Sequence, residues 1–234
     1  MTGAPVVHAL DAISFAVAPG RICAILGPNG AGKTSLLEIL ATVLLPSGGH
    51  ASVCGHDVVA HAAAVRRLVT YAPAGGAGLF PRLSGRHNLE WYAALHNLPR
   101  RQWRAVGEAA ARQFDVMDAI DRRVDTYSDG MRQRLGLARA WMVQSTIWLL
   151  DEPTRGLDPV ARVHTQEVLR RIAREAGVTM LLSTHDLVEA ETLCDQVVVL
   201  HRGRVTLDVE RASAAWVGGR LADAYTAATA EGRS

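Results

Sequence analysis

An α/β fold built on a mostly parallel sheet, with helices on both faces and a helical subdomain inserted between two strands, is what these 234 residues predict. Three observations lead there. Short apolar β-type runs (Ile22 to Leu26, Leu68 to Ala72, Ile147 to Leu150, Thr179 to Ser183, Gln196 to Leu200) alternate with helical patterns at Lys33 to Leu44, Val160 to Glu175 and Asp186 to Leu193. Strands separated by helices of that length pair in parallel. Runs as continuously apolar as Ile147-Trp148-Leu149-Leu150 fit strands buried on both faces rather than one. From about Pro81 to Val143 the pattern changes: no strand is evident, and helical periodicity covers Asn88 to Leu95, Arg101 to Met117 and Met131 to Val143.

The whole chain reads as one domain. Residues 1–78 and 146–210 form the α/β core, 79–145 the helical subdomain, and 211–234 a polar tail with one weak helix. Composition narrows the class. With 49% hydrophobic and 21% charged residues the chain is a folded protein rather than a disordered one. Its apolar runs are far shorter than the roughly 20 residues of a membrane-spanning helix. Met1 to Leu10 lacks the basic start and apolar stretch of a signal peptide. Cys23, Cys54 and Cys194 are too few for a disulfide framework and wrongly spaced for zinc, which places the chain in the reducing cytoplasm. The net charge is +2 and the basic residues are scattered pairs such as Arg66-Arg67 and Arg122-Arg123, so no nucleic acid partner is expected. Of the 25 basic residues 24 are arginine, and the single lysine is Lys33. A compact ammonium on a flexible stem fits where a planar guanidinium would not.

That lysine lies in Gly27-Pro28-Asn29-Gly30-Ala31-Gly32-Lys33-Thr34, a match to G-x-x-x-x-G-K-[ST] placed directly after one strand and before a helix, with Ser35 next. Glycines let backbone N–H groups close round phosphate oxygens, and the helix presents its positive end to the same anion. Lys33 then reaches the β and γ phosphates, and the Thr34 hydroxyl ligates Mg²⁺. An ordinary glycine-rich turn is the bland alternative, but at average composition the pattern arises by chance in only about one chain of this length in a hundred.

The apolar run Ile147 to Leu150 ends in Asp151-Glu152. The C-terminal edge of a buried parallel strand is where open α/β sheets bind ligands. Asp151 is therefore read as an Mg²⁺ ligand, and Glu152 as the group that orients the attacking water. Without the phosphate loop upstream, such a pair would be an ordinary solvated strand end.

Further segments supply a resemblance. Tyr127-Ser128-Asp129-Gly130-Met131-Arg132-Gln133-Arg134 resembles the signature of ATP-binding cassette (ABC) ATPases in a short Ser-x-Gly-Met-x-Gln form. Pro153 to Pro159 looks like that family's D-loop, and Ser183-Thr184-His185-Asp186 like its histidine switch, over a likeness running from about Ala9 to Asp208. The resemblance implies a P-loop NTPase core with a small antiparallel β part, and it implies ATP and Mg²⁺ as cofactors. It also implies a second ATPase subunit, identical or not, paired head to tail. Ser128, Asp129, Gly130 and Met131 would then face the partner's ATP, and Asp158 would contact the opposing subunit. Glu152, His185 and Lys33 take the catalytic roles; taken singly, His185 would be an unremarked surface histidine. Leu79 to Leu89 is similar to the region where such ATPases receive a helix from membrane-spanning transporter subunits. With Met131 to Arg134 it is most like export-type systems. That makes the chain a peripheral protein on the inner face of the cell membrane.

Two positions depart from the family. Its glutamine near Mg²⁺ is Ala74 here, which offers no oxygen, so either Mg²⁺ takes an extra water or hydrolysis is slow; Gly75-Gly76-Ala77-Gly78 then reads as a permissive linker. The aromatic residue on which adenine stacks has no counterpart around Thr2 to Pro5, with only His8 nearby. Either the true start lies upstream or adenine is held loosely, with weaker nucleotide selectivity. Two other functions compete with a transporter motor: a soluble ABC-type ATPase serving translation or DNA maintenance, and a weakly catalytic nucleotide-sensing module.

Overall fold

The computed structural model describes residues 8–213, 216 and 220–230; Thr2 to Pro5 lie outside them. Eight strands and eight α-helices are defined among these residues. In chain order they are β1 (Ile22–Leu26), α1 (Lys33–Leu40), β2 (Ser52–Val53), β3 (His56–Asp57), α2 (Ala62–Leu68) and β4 (Val69–Ala72). Then follow α3 (Gly85–Leu95), α4 (Trp103–Gln113), α5 (Asp129–Trp141), β5 (Ile147–Asp151), α6 (Pro159–Ala176) and β6 (Thr179–Thr184). The chain closes with α7 (Leu187–Leu193), β7 (Gln196–His201), β8 (Arg204–Glu210) and α8 (Arg220–Ala230).

The main sheet runs β4-β5-β6-β1-β7-β8, parallel throughout except for the antiparallel edge strand β8. The antiparallel pair β2–β3 stands apart. Alternation along the central strands builds two cores, one on each face. Ala24, Leu26, Trp148, Leu150, Met180 and Leu182 point to the face covered by the helices from α3 to α7. Cys23, Ile25, Leu149, Leu181 and Val198 point to the other, covered by α1 and α2, by Leu10 and by the alternating Ile13, Phe15 and Val17.

Capping chemistry sets the helix starts. Ser84, Ser128, Asp158 and Asp186 each accept an amide hydrogen bond at the head of α3, α5, α6 and α7, and Pro159 occupies the first turn of α6. Gly177, left-handed at φ +65°, ends α6. Two helices are shorter than their sequence patterns. α1 stops at Leu40 rather than Leu44, because Thr42 turns to φ +60° and the Val43 and Leu44 amides fold back on the Glu38 carbonyl. The Arg101 to Met117 pattern resolves into a 3₁₀ turn, α4, and a break where Asp115 adopts φ +51°. Edge strand β8 and helix α2 have no counterpart among the expected elements. β8 alternates exposed and partly buried residues, and α2 sits in an alanine-rich patch. The helix expected in the tail is α8, whose Leu221 and Ala228 enter the first core.

Candidate functional site

Strand register gathers the site. β6 lies between β1 and β5, with Leu26 level with Thr184 and Asp151 level with Ser183. The phosphate loop after β1, the carboxylates ending β5 and the histidine after β6 therefore meet at one sheet edge. Residues more than a hundred positions apart in sequence become neighbours there.

The loop is shaped by close approach. A Cβ on Gly27 would meet the Leu200 carbonyl at 2.1 Å, and one on Gly32 (φ +102°) would meet the Ala9 carbonyl at 2.2 Å, so neither position admits a side chain. Pro28 and Asn29 are exposed and Ala31 is buried, while a Cβ on Gly30 would meet only open space, though its φ of +78° disfavours one. At the head of α1 the amides of Lys33, Thr34 and Ser35 have no carbonyl partner among the described residues, which leaves a cradle of donors. Lys33, 6% exposed as a residue, donates its ammonium to the Gly27 carbonyl at 2.7 Å and the Pro28 carbonyl at 3.0 Å. Burial lowers its pKa from the usual lysine value, and the Glu152 and Asp151 carboxylates partly restore it.

Across the edge, the Thr34 hydroxyl donates to Asp151 Oδ2 at 2.9 Å, and Ser183 Oγ donates to Asp151 Oδ1 at 2.5 Å. The same Ser183 oxygen accepts the Glu152 amide at 2.9 Å. Thr34 and Asp151 thus offer an adjoining pair of hard oxygen donors, the set that suits Mg²⁺ completed by water and phosphate. Glu152 adopts φ +45°, a strained left-handed backbone for a residue with a side chain, of a kind that clusters at functional sites. Its carboxylate is 11% exposed, with Oε1 3.2 Å from His185 Nδ1 and Oε2 3.4 Å from the Arg155 guanidinium. His185 itself is largely open to solvent.

The signature segment is set by α5. Ser128 Oγ accepts the Met131 amide at 3.2 Å, Asp129 pairs with Arg132, and the Met131 side chain packs on the core. Exposed outward at this helix start are therefore Ser128 and Asp129, whereas Met131 turns inward with its amide already engaged. A Cβ on Gly130 would meet the Gly156 carbonyl at 2.9 Å, so α5 sits directly on the turn that follows Glu152. Asp158 has a local role: its carboxylate accepts the Val160 and Ala161 amides, which hold it below the ordinary carboxylate range.

The segment after β4 corrects the expectation of a permissive linker. Gly75 donates its amide to Gln133 Oε1 at 2.6 Å, and Arg139 donates to the Ala77 carbonyl at 3.1 Å while stacking on Tyr92. Gly75, Gly76 and Gly78 all have positive φ, and a Cβ on Gly76 would meet the Arg132 carbonyl at 2.5 Å. These glycines let the chain lie against α5; they do not free it. Sequence reasoning also missed Ser183, Gln133 and the buried Glu189. Ser183 and Gln133 stand inside the quoted motifs, but nothing in the sequence shows the bonds they make; Glu189 carries no such signal.

The chain matches the family model for the ABC transporter domain over residues 10–155. It is 42% identical over 197 residues to the daunorubicin resistance ATP-binding protein DrrA3 of Streptomyces coeruleorubidus, covering 84% of this chain and 62% of that protein. It is 37% identical over 200 residues to the ABC transporter ATP-binding protein NatA of Bacillus subtilis (strain 168), covering 86% of this chain and 81% of the relative. A solved ATP-binding subunit of an ABC transporter superposes with a TM-score of 0.82 at 27% identity, covering 94% of this chain and 92% of that one. The phosphate loop, the carboxylate strand and the histidine at one sheet edge, together with these matches, place the chain in the ABC transporter family.

Proposed function

We propose that the chain binds and hydrolyses ATP to power transport, in the export direction, through separate membrane-spanning subunits. In this reading it pairs with a second ATPase subunit and lies peripherally at the cytoplasmic face of the membrane. One observation carries it: a continuous polar relay of Thr34, Asp151, Ser183, Glu152 and His185 beside the donor cradle of the phosphate loop. The cradle amides and Lys33 would bind the β and γ phosphates, Lys33 giving up its two loop carbonyls to do so. Mg²⁺, held by Thr34 and Asp151, would supply charge neutralisation on the phosphates. Asp151 accepts a hydroxyl on each oxygen and is fixed by them, while Ser183 carries its position to the Glu152 backbone. Glu152 orients water and takes its proton, and His185 at 3.2 Å holds the carboxylate and donates toward the leaving charge. No covalent intermediate is needed.

Ser128 and the open start of α5 suit a partner's γ-phosphate, and a second copy or a related chain would complete each site. An exposed apolar patch of Phe80, Leu83, Trp91 and Leu95, with Phe80 and Trp91 edge to face at 4.5 Å, fits reception of a membrane subunit's helix. Similarity to the Nod factor export ATP-binding protein I of Burkholderia thailandensis, 39% identical over 195 residues, supports the outward direction. The arginines Arg86, Arg134, Arg162 and Arg204 are all paired with carboxylates, which speaks against a nucleic acid partner.

A second reading, a weakly catalytic nucleotide sensor, is favoured by Ala74, which brings no oxygen to the metal. Turnover of the purified protein with and without Glu152→Gln separates them. The substitution is expected to lower ATP turnover by about 100-fold or more while nucleotide binding persists. Equal turnover in both proteins would leave the sensor.

A further inference from the structure

Behind the Glu152–His185 pair lies a carboxylate that this mechanism does not use. Glu189, in the first turn of α7, is 3% exposed. Each of its oxygens accepts one hydroxyl: Oε1 from Thr154 at 2.6 Å and Oε2 from Thr184 at 2.6 Å. Both threonines are buried. Thr184 Oγ1 also accepts the Asp186 amide at 3.0 Å, and Asp186 Oδ1 accepts the Glu189 amide at 3.2 Å, so the bridge is tied to the head of α7.

The two hydroxyls belong to the segments that carry the reacting pair. Thr154 stands two residues after Glu152, and Thr184 immediately precedes His185. Burying a carboxylate is expensive, and an apolar side chain of similar volume would fill this space at no such cost. A space-filling role therefore does not account for the group, whereas a bridge that accepts two hydroxyls at once does. We propose that Glu189 is a positioning residue: by gripping Thr154 and Thr184 it sets the separation of Glu152 and His185 at which water is activated. This rests on the hydrolytic reading above.

The test measures steady-state ATP turnover, the affinity of a fluorescent ATP analogue and the far-UV circular dichroism melt for wild type, Glu189→Ala, Glu189→Gln and Thr154→Val, with Glu152→Gln alongside. In Glu189→Ala, kcat is expected to fall about 10- to 100-fold, since displacements of about an ångström cost that much. Analogue affinity is expected to change less than about threefold, because the phosphate cradle is untouched. Glu189→Gln, which can still link both hydroxyls, retains most of the turnover. Thr154→Val keeps the shape, removes one end of the bridge and loses turnover by a smaller factor. Unchanged kcat in a folded Glu189→Ala, parallel loss of kcat and affinity, or a Gln variant as impaired as Ala would each overturn the proposal. If Glu189→Ala does not fold, Thr154→Val decides, and wild-type kcat in it would overturn the proposal. Wild-type turnover indifferent to Glu152→Gln would instead sink the hydrolytic reading, and this one with it.

Discussion

Gly76→Ala, compared with Gly75→Ala, measures how firmly the segment after β4 is held against α5. Both glycines have left-handed backbone, at φ +68° and φ +67°. An added methyl therefore costs about 1–2 kcal/mol of conformational strain at either position. The unfolded-state entropy gained by removing a glycine is also common to both and cancels in the comparison. Only the surroundings differ. At Gly75 a Cβ meets nothing within 4 Å, whereas at Gly76 it lies 2.5 Å from the Arg132 carbonyl of α5. To relieve that clash the segment must retreat and stretch the 2.6 Å bond from the Gly75 amide to Gln133, leaving the buried Gln133 oxygen unpaired. Such a loss costs about 1–3 kcal/mol. For a chain of this size, the Tm of Gly76→Ala should therefore lie below that of Gly75→Ala by about 4–8 °C for a central 2 kcal/mol. Urea unfolding followed by circular dichroism should show the same difference in midpoint with an unchanged slope. Equal losses in the two variants would refute the claim that the segment is clamped to the helix.

Two further outcomes follow from the site. Lys33→Ala removes the ammonium that reaches two loop carbonyls at 2.7 and 3.0 Å; titration calorimetry should find ATP binding weakened about 10- to 100-fold, the worth of one or two charge-assisted bonds. Unaltered affinity would remove the lysine from the nucleotide site. Glu189 gives a pH signature. Burial raises its pKa above the usual 4.5, outweighing the Thr154 and Thr184 hydrogen bonds and the Arg162 charge, with Asp186 adding to the rise. The folded state then holds this proton to higher pH than the unfolded chain does, so the contribution of Glu189 to stability falls as pH climbs from the unfolded value to the raised folded one. Glu189→Gln lacks that loss. Its Tm minus that of wild type should become more positive as pH rises from 4.5 and then level off. A difference that is flat, or that shrinks with pH, would contradict the assignment.

Much of the fold was legible because its strands are buried on both faces. Ile22 to Leu26 and Ile147 to Leu150 read as strands with almost no error, since continuous apolar runs and the motifs that end them coincide. The edge strand β8 escaped because one of its faces is wet and its residues alternate with charges. α1 and α4 were read too long because left-handed turns at Thr42 and Asp115 leave no trace in hydrophobic spacing. At the site, the loop and the carboxylates were visible as local strings. The bonds from Ser183 to Asp151 and from Gln133 to Gly75 were not, since register and packing make them across 32 and 58 residues. Ala74 and its glycines show the limit most sharply. Within the stretch that reads as slack, Gly76 is pressed against the α5 backbone and the Gly75 amide is bonded to Gln133.

A Cβ at Gly130 would press to 2.9 Å from the Gly156 carbonyl and 3.2 Å from Leu157 Cδ2. The head of α5 therefore rests on the backbone of the turn that follows Glu152, and a methyl group placed at Gly130 would pry the two apart.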